Sequence, residues 1–212
     1  SHPNVPVIMI TKSEEENIMN QAIGNKIADY LIKPVNPNQI LLSIKKNLHS
    51  GAIVSQQASS DYQQQFQEIS MMINNANSID DWYEIYNTLV RWELKLSSAE
   101  TNMDELLKMQ KSEANNAFVK FVKRNYETWV TTEQHPVMSN ELFKSKIFPL
   151  LDNGEKVFFI VIDNLRLDQW RCVSPMLSEY FNVVEDSIYT SILPTATQYA
   201  RNAIFSGLMP VQ

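Results

Sequence analysis

The sequence predicts a multidomain protein of the α/β plus α type, in which two α/β regions flank a helical one. Strand-like apolar runs alternate with helix patterns over residues 1–50 and again over 148–212, whereas residues 51–147 have helical periodicity and almost no strand pattern. The chain has only four glycines among 212 residues, and 44% of its residues are hydrophobic. It does not divide into complete hydrophobic cores. We therefore expect three regions, with limits at 1–50, 51–147 and 148–212.

The first region contains two strand patterns separated by a helix pattern. Residues 5–11 form an apolar run that ends in a threonine, and residues 28–33 form a second run that ends at a Lys-Pro pair. Between them, a serine followed by three glutamates at 13–16 is typical of a helix start. Apolar residues at helical spacing predict a further helix over 38–49.

This order resembles the C-terminal part of a two-component receiver domain, which has a flavodoxin-like α/β fold. The resemblance implies a switch hydroxyl, a switch aromatic, a lysine that pairs with the phosphoryl group and a proline in a cis bond to it, namely Thr11, Tyr30, Lys33 and Pro34. A phosphorylated aspartate needs a cation and a hydroxyl donor within reach, and Lys33 and Thr11 would supply both. Taken alone, Lys33 would be an exposed strand-end lysine and Thr11 a residue flanking a helix.

The middle region predicts a helical bundle. Its helices are expected over 61–74, 78–96 and 102–129, with the polar stretch 55–67 as a helix start or a hinge. The second helix has an apolar stripe that is typical of a core face, formed by Trp82, Ile85, Tyr86, Leu89, Trp92 and Leu96. On the third helix, aromatic residues alternate with basic ones, which favours a packed face beside a solvated basic stripe and leaves a nucleic-acid surface as the alternative.

The last region places a carboxylate and a hydroxyl where phosphoryl-transfer chemistry needs them. An apolar run over 156–162 has the pattern of a buried parallel strand and ends in Asp163, at the edge of a sheet where ligands and cations usually bind. The sequence Pro-Thr-Ala-Thr at 194–197 leads into a helix, whose first N–H groups would stabilise an attacking oxygen and a phosphoryl oxyanion. Each pattern alone is also typical of a turn or a helix cap; together they predict metal-assisted phosphoryl transfer.

The sequences at 161–166, 194–197 and 206–210 together resemble the PglZ branch of the alkaline phosphatase superfamily, and the nucleotide pyrophosphatases show a similar pattern. The resemblance implies a site for two zinc ions, with Asp163 as a metal ligand and Thr197 as both nucleophile and metal ligand. Thr195 is the less favoured nucleophile.

Two positions near these residues depart from the family pattern. The family's Asp-Gly pair is Asp163-Asn164 here, and Arg201 stands where the pyrophosphatases have histidine. We expect Asn164 and Arg201 to contact phosphate oxygens, and the substrate preference of the pyrophosphatases does not transfer.

Both resemblances predict that this chain is part of a longer protein. A receiver's phospho-accepting aspartate and its acidic magnesium ligands lie on earlier strands, which would precede Ser1. The remaining zinc ligands of the phosphatase superfamily, several aspartates and histidines, would follow Gln212. Neither domain's ligand set is therefore expected to be complete within these residues.

The order of receiver, helical bundle and PglZ-type domain resembles that of the response regulators associated with type IX secretion. It implies a sensor histidine kinase as the phosphoryl donor, a homodimer formed on phosphorylation, an extracytoplasmic sigma factor as a partner, and phosphodiesterase activity on cyclic or linear oligonucleotides. The alternative is a non-catalytic signalling platform, in which a phosphatase-like fold binds a partner such as the sigma factor. A transcription factor is disfavoured, because no helix-turn-helix with a basic recognition helix follows the first region.

Composition narrows the remaining function classes. The formal net charge is −6 and no long basic run occurs, so the sequence lacks the electrostatic footprint of a duplex-binding protein. The single cysteine, Cys172, permits no internal disulfide, and no apolar stretch approaches the roughly 20 residues needed to cross a bilayer. We therefore expect a cytoplasmic protein without membrane association. The three histidines, His2, His49 and His135, do not have the spacing of a metal site.

Overall fold

The computed structural model describes residues 7–12, 27–99 and 101–210, without the side chains of 48–51. The chain divides into two compact units. The first contains residues 1–65 and 95–104, and the second contains residues 66–94 and 105–212. The helix start predicted at 13–16 lies outside the described residues.

Two short parallel strands lie in the first unit. Strand β1 (Ile8–Thr11) pairs with β2 (Asp29–Ile32) over four residues, from Ile8 opposite Asp29 to Thr11 opposite Ile32. The pairing continues one residue further, because the Lys33 N–H donates to the Thr11 carbonyl at 2.7 Å. The carboxyl ends of both strands therefore lie together at one edge.

A long helix follows the strands. Helix α1 (Pro37–Asn75) is continuous over 39 residues and contains both helices predicted at 38–49 and 61–74. Their separation, and the helix start or hinge predicted over 55–67, are wrong. The polar stretch contains no proline, and its glutamines and alanine tolerate helical geometry well. The helix begins with a side-chain cap, since the Asn38 N–H donates to Asn36 Oδ1 at 2.9 Å.

The start of α1 is tied to the strand pair by a buried hydroxyl. Ser43 Oγ donates to Asp29 Oδ2 at 2.5 Å, and Ser43 is 3% exposed. This hydrogen bond is the largest influence on Asp29, and it lowers the pKa of that carboxyl below its usual value.

Tyr62, on the same helix, is fully buried, and loss of solvent raises the pKa of its phenol to about 12 from a usual value of 10. Because the folded-state pKa is raised, the neutral phenol's contribution to stability is fully present below pH 10 and is lost as the pH rises toward 12. We expect the free energy of unfolding to fall by about 2–3 kcal/mol over this range. Urea titrations at several pH values measure it, and Tyr62→Phe should flatten the dependence; an equal slope in that variant would contradict the assignment.

The last two helices of the middle region match their predicted limits within two residues. Helix α2 (Ile79–Ser98) and helix α3 (Asp104–Thr131) correspond to the predictions 78–96 and 102–129. A reciprocal cap fixes the start of α2: the Ser78 N–H donates to Asp81 Oδ2 at 2.8 Å, and the Asp81 N–H donates to Ser78 Oγ at 3.2 Å. This side-chain pattern is local in sequence, which is why it could be predicted.

Aromatic rings form the core between α2 and α3 in the second unit. The Phe121 ring centroid lies 6.0 Å from that of Trp82 and 5.8 Å from that of Trp129, and all three side chains are buried. Gln110, which is fully buried on α3, donates from Nε2 to the Phe66 carbonyl of α1 at 2.9 Å. Four residues of the stripe predicted for α2 are buried in this unit, whereas Tyr86 is 45% exposed; the four are Trp82, Ile85, Leu89 and Trp92.

The residues that follow are helical or extended. A 3₁₀ turn (Ser139–Glu141) and a π-helical turn (Phe143–Ile147) lead into α4 (Phe148–Asp152), and two more helices follow, α5 (Leu167–Leu177) and α6 (Thr197–Ser206). No helix in the described part of the chain combines the length and apolar character needed to cross a bilayer.

The strand predicted over 156–162 is not formed in this structure. These residues have no regular secondary structure, and no other described segment pairs with them. A strand requires hydrogen bonds to a neighbour, and here Phe158 and Ile160 are 92% and 79% exposed. In the described residues of 148–212, the α/β character that the apolar pattern predicts is therefore not confirmed.

Candidate active site

Aromatic contacts hold the segment 157–162 against α6. The ring of Phe159 lies 4.7 Å from that of Phe143, in the π-helical turn, and 6.0 Å from that of Phe205, on α6. Phe143 and Phe205 are themselves 5.8 Å apart. This three-ring cluster fixes the end of the segment, and thus the residue that follows it, beside the helix that begins at Thr197.

Asp163 follows this segment and forms an ion pair with Arg201 on α6. Arg201 Nη1 lies 3.4 Å from Asp163 Oδ2, and the two side chains are 49% and 50% exposed. An ion pair this exposed contributes at most about 1 kcal/mol to stability. The pair matters because of where it places its two groups. It brings the Asp163 carboxylate, which we expect to bind a metal, next to the Arg201 guanidinium, which we expect to contact phosphate.

Asn164 has a left-handed backbone conformation, with φ at +60°. Glycine adopts this conformation without strain, and asparagine tolerates it better than most other residues. The backbone therefore accounts for asparagine at a position where the related family has glycine: both residues permit the same turn after Asp163.

We expect Asn164→Gly to fold normally and Asn164→Val to lower the free energy of unfolding by about 1–2 kcal/mol, because a β-branched side chain is strained at positive φ. Thermal unfolding of the two variants measures the difference. The glycine variant is the matched control, since it also removes the amide side chain. Equal stability of the two variants would show that the turn does not require this conformation.

Thr197 is the first residue of α6, and Ala196 precedes it as the N-cap with extended φ and ψ of −60° and 140°. The Tyr199 and Ala200 N–H groups donate to the Ala196 carbonyl at 2.9 and 3.0 Å, and no side chain caps the helix. Thr197 therefore lies at the positive end of the helix dipole. Arg201 is one turn further along the helix, so it lies on the same face as Thr197.

The end of α6 explains part of the third sequence motif. Gly207 has φ of +68°, and its N–H donates to the Ala203 carbonyl at 3.0 Å. This left-handed cap requires glycine or an equivalent residue, so the Ser-Gly-Leu sequence marks the helix end.

Helices α2 and α3 anchor the chain that enters the Pro-Thr-Ala-Thr turn. The Leu193 N–H donates to Tyr126 Oη on α3 at 2.7 Å, and Tyr83 Oη on α2 lies 2.7 Å from Thr190 Oγ1. Burial raises the pKa of the Tyr83 phenol. Sequence reasoning missed both contacts, because it placed Tyr126 on a packed face and did not assign Tyr83 to the stripe.

A buried serine makes the third contact with this segment. The Ile192 N–H donates to Ser139 Oγ at 3.2 Å, and both residues are fully buried. The Leu193–Pro194 peptide bond that follows is cis. Hydrogen bonds from three different elements therefore fix residues 190–193 immediately before the candidate nucleophile.

The residues assigned to receiver switching lie in the first unit. Thr11 ends β1, and Tyr30 lies on β2 opposite Met9. Lys33 follows β2 directly, and its peptide bond to Pro34 is cis, as expected. The strand pairing therefore places Thr11 and Lys33 at the same edge of the strand pair.

Asp163 and Thr197 are chemically suitable as zinc donors, since carboxylate and alkoxide oxygens bind this cation. Both side chains are exposed beside the same helix. Within the described ranges, however, no group of three histidine, cysteine, aspartate or glutamate residues could hold a metal ion. The two residues fit part of a metal site, and the described residues alone do not complete it.

Comparison with known protein families gives two matches along the chain. Residues 52–130 match the PorX response regulator linker domain, and residues 142–212 match the BREX system PglZ alkaline phosphatase-like domain. No curated protein matches the chain. The two matches, in this order, are those of a response regulator with a phosphatase-like effector, and together they cover most of the chain.

Proposed function

We propose that this chain, which resembles PorX in its linker and in its PglZ alkaline phosphatase-like domain, is part of a response regulator whose effector domain is a zinc-dependent phosphodiesterase acting on cyclic or linear oligonucleotides. The observation that carries the proposal is the position of Asp163 and Arg201 against the helix that begins at Thr197. A carboxylate, a guanidinium and a helix-start hydroxyl are the groups that phosphodiester cleavage needs.

In the proposed reaction, Thr197 Oγ attacks phosphorus, and a Thr197–phosphate ester forms as the bond to the leaving alkoxide breaks. The first-turn N–H groups of α6 and the Arg201 guanidinium stabilise the charge that develops on the phosphoryl oxygens. Asp163 would hold one of two zinc ions, and zinc bound there would lower the pKa of the attacking hydroxyl. Water then hydrolyses the ester and restores Thr197.

The linker helices, α2 and α3, provide a way to regulate this site. Tyr83 and Tyr126 belong to the linker helices and hold the segment that ends at the Pro-Thr-Ala-Thr turn. A change in the packing of α2 against α3 would therefore displace the nucleophile. In this proposal a receiver switch regulates that packing, and magnesium binds at the phosphorylated aspartate. The switch is formed by Thr11, Tyr30, Lys33 and Pro34.

The proposed setting follows from the same resemblance. A sensor histidine kinase phosphorylates the receiver, the phosphorylated protein forms a homodimer, and an extracytoplasmic sigma factor links it to type IX secretion. All of these steps belong to a cytoplasmic protein.

The proposal is tested on the full-length protein with bis(p-nitrophenyl) phosphate and with a short cyclic oligonucleotide. We expect hydrolysis that is lost after treatment with a chelator and regained on addition of zinc. Zinc content should be measured on the same samples. A protein that holds zinc but hydrolyses neither compound would instead support the non-catalytic signalling platform.

A further inference from the structure

A cavity of about 600 Å³ lies in the second unit between the linker helices and the segment that precedes α6. Helices α2 and α3 form two of its walls, and residues 188–195 form the third. Its size falls within the usual range for small-molecule sites. Neither the proposed cleavage chemistry nor the anchoring hydrogen bonds of Tyr83 and Tyr126 account for this space.

The cavity walls are mostly apolar and aromatic. The rings that line it come from both linker helices and from the third wall, and they include Tyr83, Tyr86, Phe118, Tyr126, Trp129 and Tyr189. Tyr86 is 45% exposed, so its ring remains accessible although it lies on the core stripe. Walls of this kind favour a planar ligand, because flat rings stack on aromatic faces whatever their substituents.

One buried donor in the lining has no partner. Trp82 lines the cavity and is 6% exposed, and its Nε1–H forms no hydrogen bond with any described residue. A buried donor left without a partner destabilises the protein, because the protein does not replace the hydrogen bond that the donor made to water. An acceptor atom that reached this N–H would remove the cost, so the lining favours a ligand that is flat and also carries an acceptor on its ring.

The third wall connects the cavity to the candidate nucleophile. Thr195 lines the cavity, and Thr197 follows two residues later. Two residues span at most about 7 Å of chain, so the cavity and the nucleophile are neighbours. A ligand that extends out of the cavity past Thr195 would reach the start of α6.

We propose that this cavity binds the heterocyclic base of a nucleotide. A base is planar, carries ring nitrogen and carbonyl acceptors for the Trp82 N–H, and projects a sugar-phosphate toward the Pro-Thr-Ala-Thr turn. A fatty acid fits less well, since its only acceptors lie at one end and its chain offers nothing to the indole N–H. This assignment rests on the proposed phosphodiesterase function, and it makes the linker helices part of substrate recognition.

The test measures binding of the four ribonucleosides to the full-length protein by calorimetry, with ribose 5-phosphate as the base-free control. Nucleosides contain no phosphate, so the result does not depend on hydrolysis or on bound zinc. We expect saturable binding of at least one nucleoside and none of ribose 5-phosphate. Trp82→Phe keeps a ring but removes the N–H, and it should weaken binding about fivefold, the effect of one hydrogen bond.

Tyr86→Leu provides a second variant, because this side chain is half exposed and its replacement leaves the core in place. It should weaken nucleoside binding without changing the circular dichroism spectrum, and Thr197→Ala should leave nucleoside binding unchanged. The proposal fails if no nucleoside binds, or if both cavity variants bind nucleosides as well as the wild type does. It also fails if decanoate binds in the cavity and nucleosides do not. Loss of hydrolysis with nucleoside binding intact would refute the proposed function alone.

Discussion

Replacing Thr197 by alanine is expected to lower kcat for phosphodiester hydrolysis by the full-length protein on the order of 10³-fold or more, the usual cost of removing a nucleophile. The hydroxyl is the only group of this side chain that could form the ester, and it stands where α6 presents its unpaired N–H groups. Steady-state hydrolysis of bis(p-nitrophenyl) phosphate, with equal zinc content in both proteins, measures the effect.

Thr195→Ala is the matched control for that variant. Thr195 belongs to the same turn and is equally exposed, but it precedes the helix and lines the linker cavity. Its loss should reduce activity only modestly, and Thr197→Ser should retain part of the activity because it keeps a hydroxyl. Equal rates for wild type and Thr197→Ala would exclude Thr197 as the nucleophile, and a larger loss in Thr195→Ala would move that role to Thr195.

Local signals in the sequence predicted the linker well. The limits of α2 and α3 follow from apolar spacing and from side chains that cap their starts, such as Ser78 and Asp81. These signals depend on residues within one or two turns of each other, so they need no knowledge of tertiary contacts. The cis bond at Pro34 came instead from the family resemblance.

Two errors show where local signals fail. The polar stretch 55–67 predicted a helix start or a hinge, yet α1 runs through it, because neighbouring packing decides whether such residues remain helical. The apolar run 156–162 predicted a strand, but strand formation depends on a partner that apolar pattern alone does not specify.

The sequence predicted which residues belong to the candidate site, but not how they are arranged in space. Asp163 and Arg201 are 38 positions apart, and the packing of Phe159 on Phe143 and Phe205 brings the two segments that carry them together. The tyrosine contacts from the linker are more distant still, since Tyr83 and Thr190 are separated by 107 positions. Non-local contacts of this kind leave no periodic pattern in the sequence.

The strongest effect on stability is expected from Phe121→Ala in the linker. Phe121 is 4% exposed and its ring contacts Trp82 and Trp129, so truncation removes both apolar burial and ring contacts and leaves a cavity. We expect the free energy of unfolding to fall by about 3–5 kcal/mol. Urea denaturation followed by tryptophan fluorescence measures it, because two of the four tryptophans pack directly on this ring.

Phe181→Ala is the control for loss of an aromatic side chain, because Phe181 is 68% exposed. We expect this substitution to lower the free energy of unfolding by less than about 1 kcal/mol. The comparison also bears on the active site, because α2 and α3 carry the tyrosines that fix residues 190–193. If the linker positions the nucleophile, Phe121→Ala should lower kcat at temperatures where the protein is still folded, whereas Phe181→Ala should not. A destabilised Phe121→Ala protein with an unchanged kcat would show that the turn is held without the linker core.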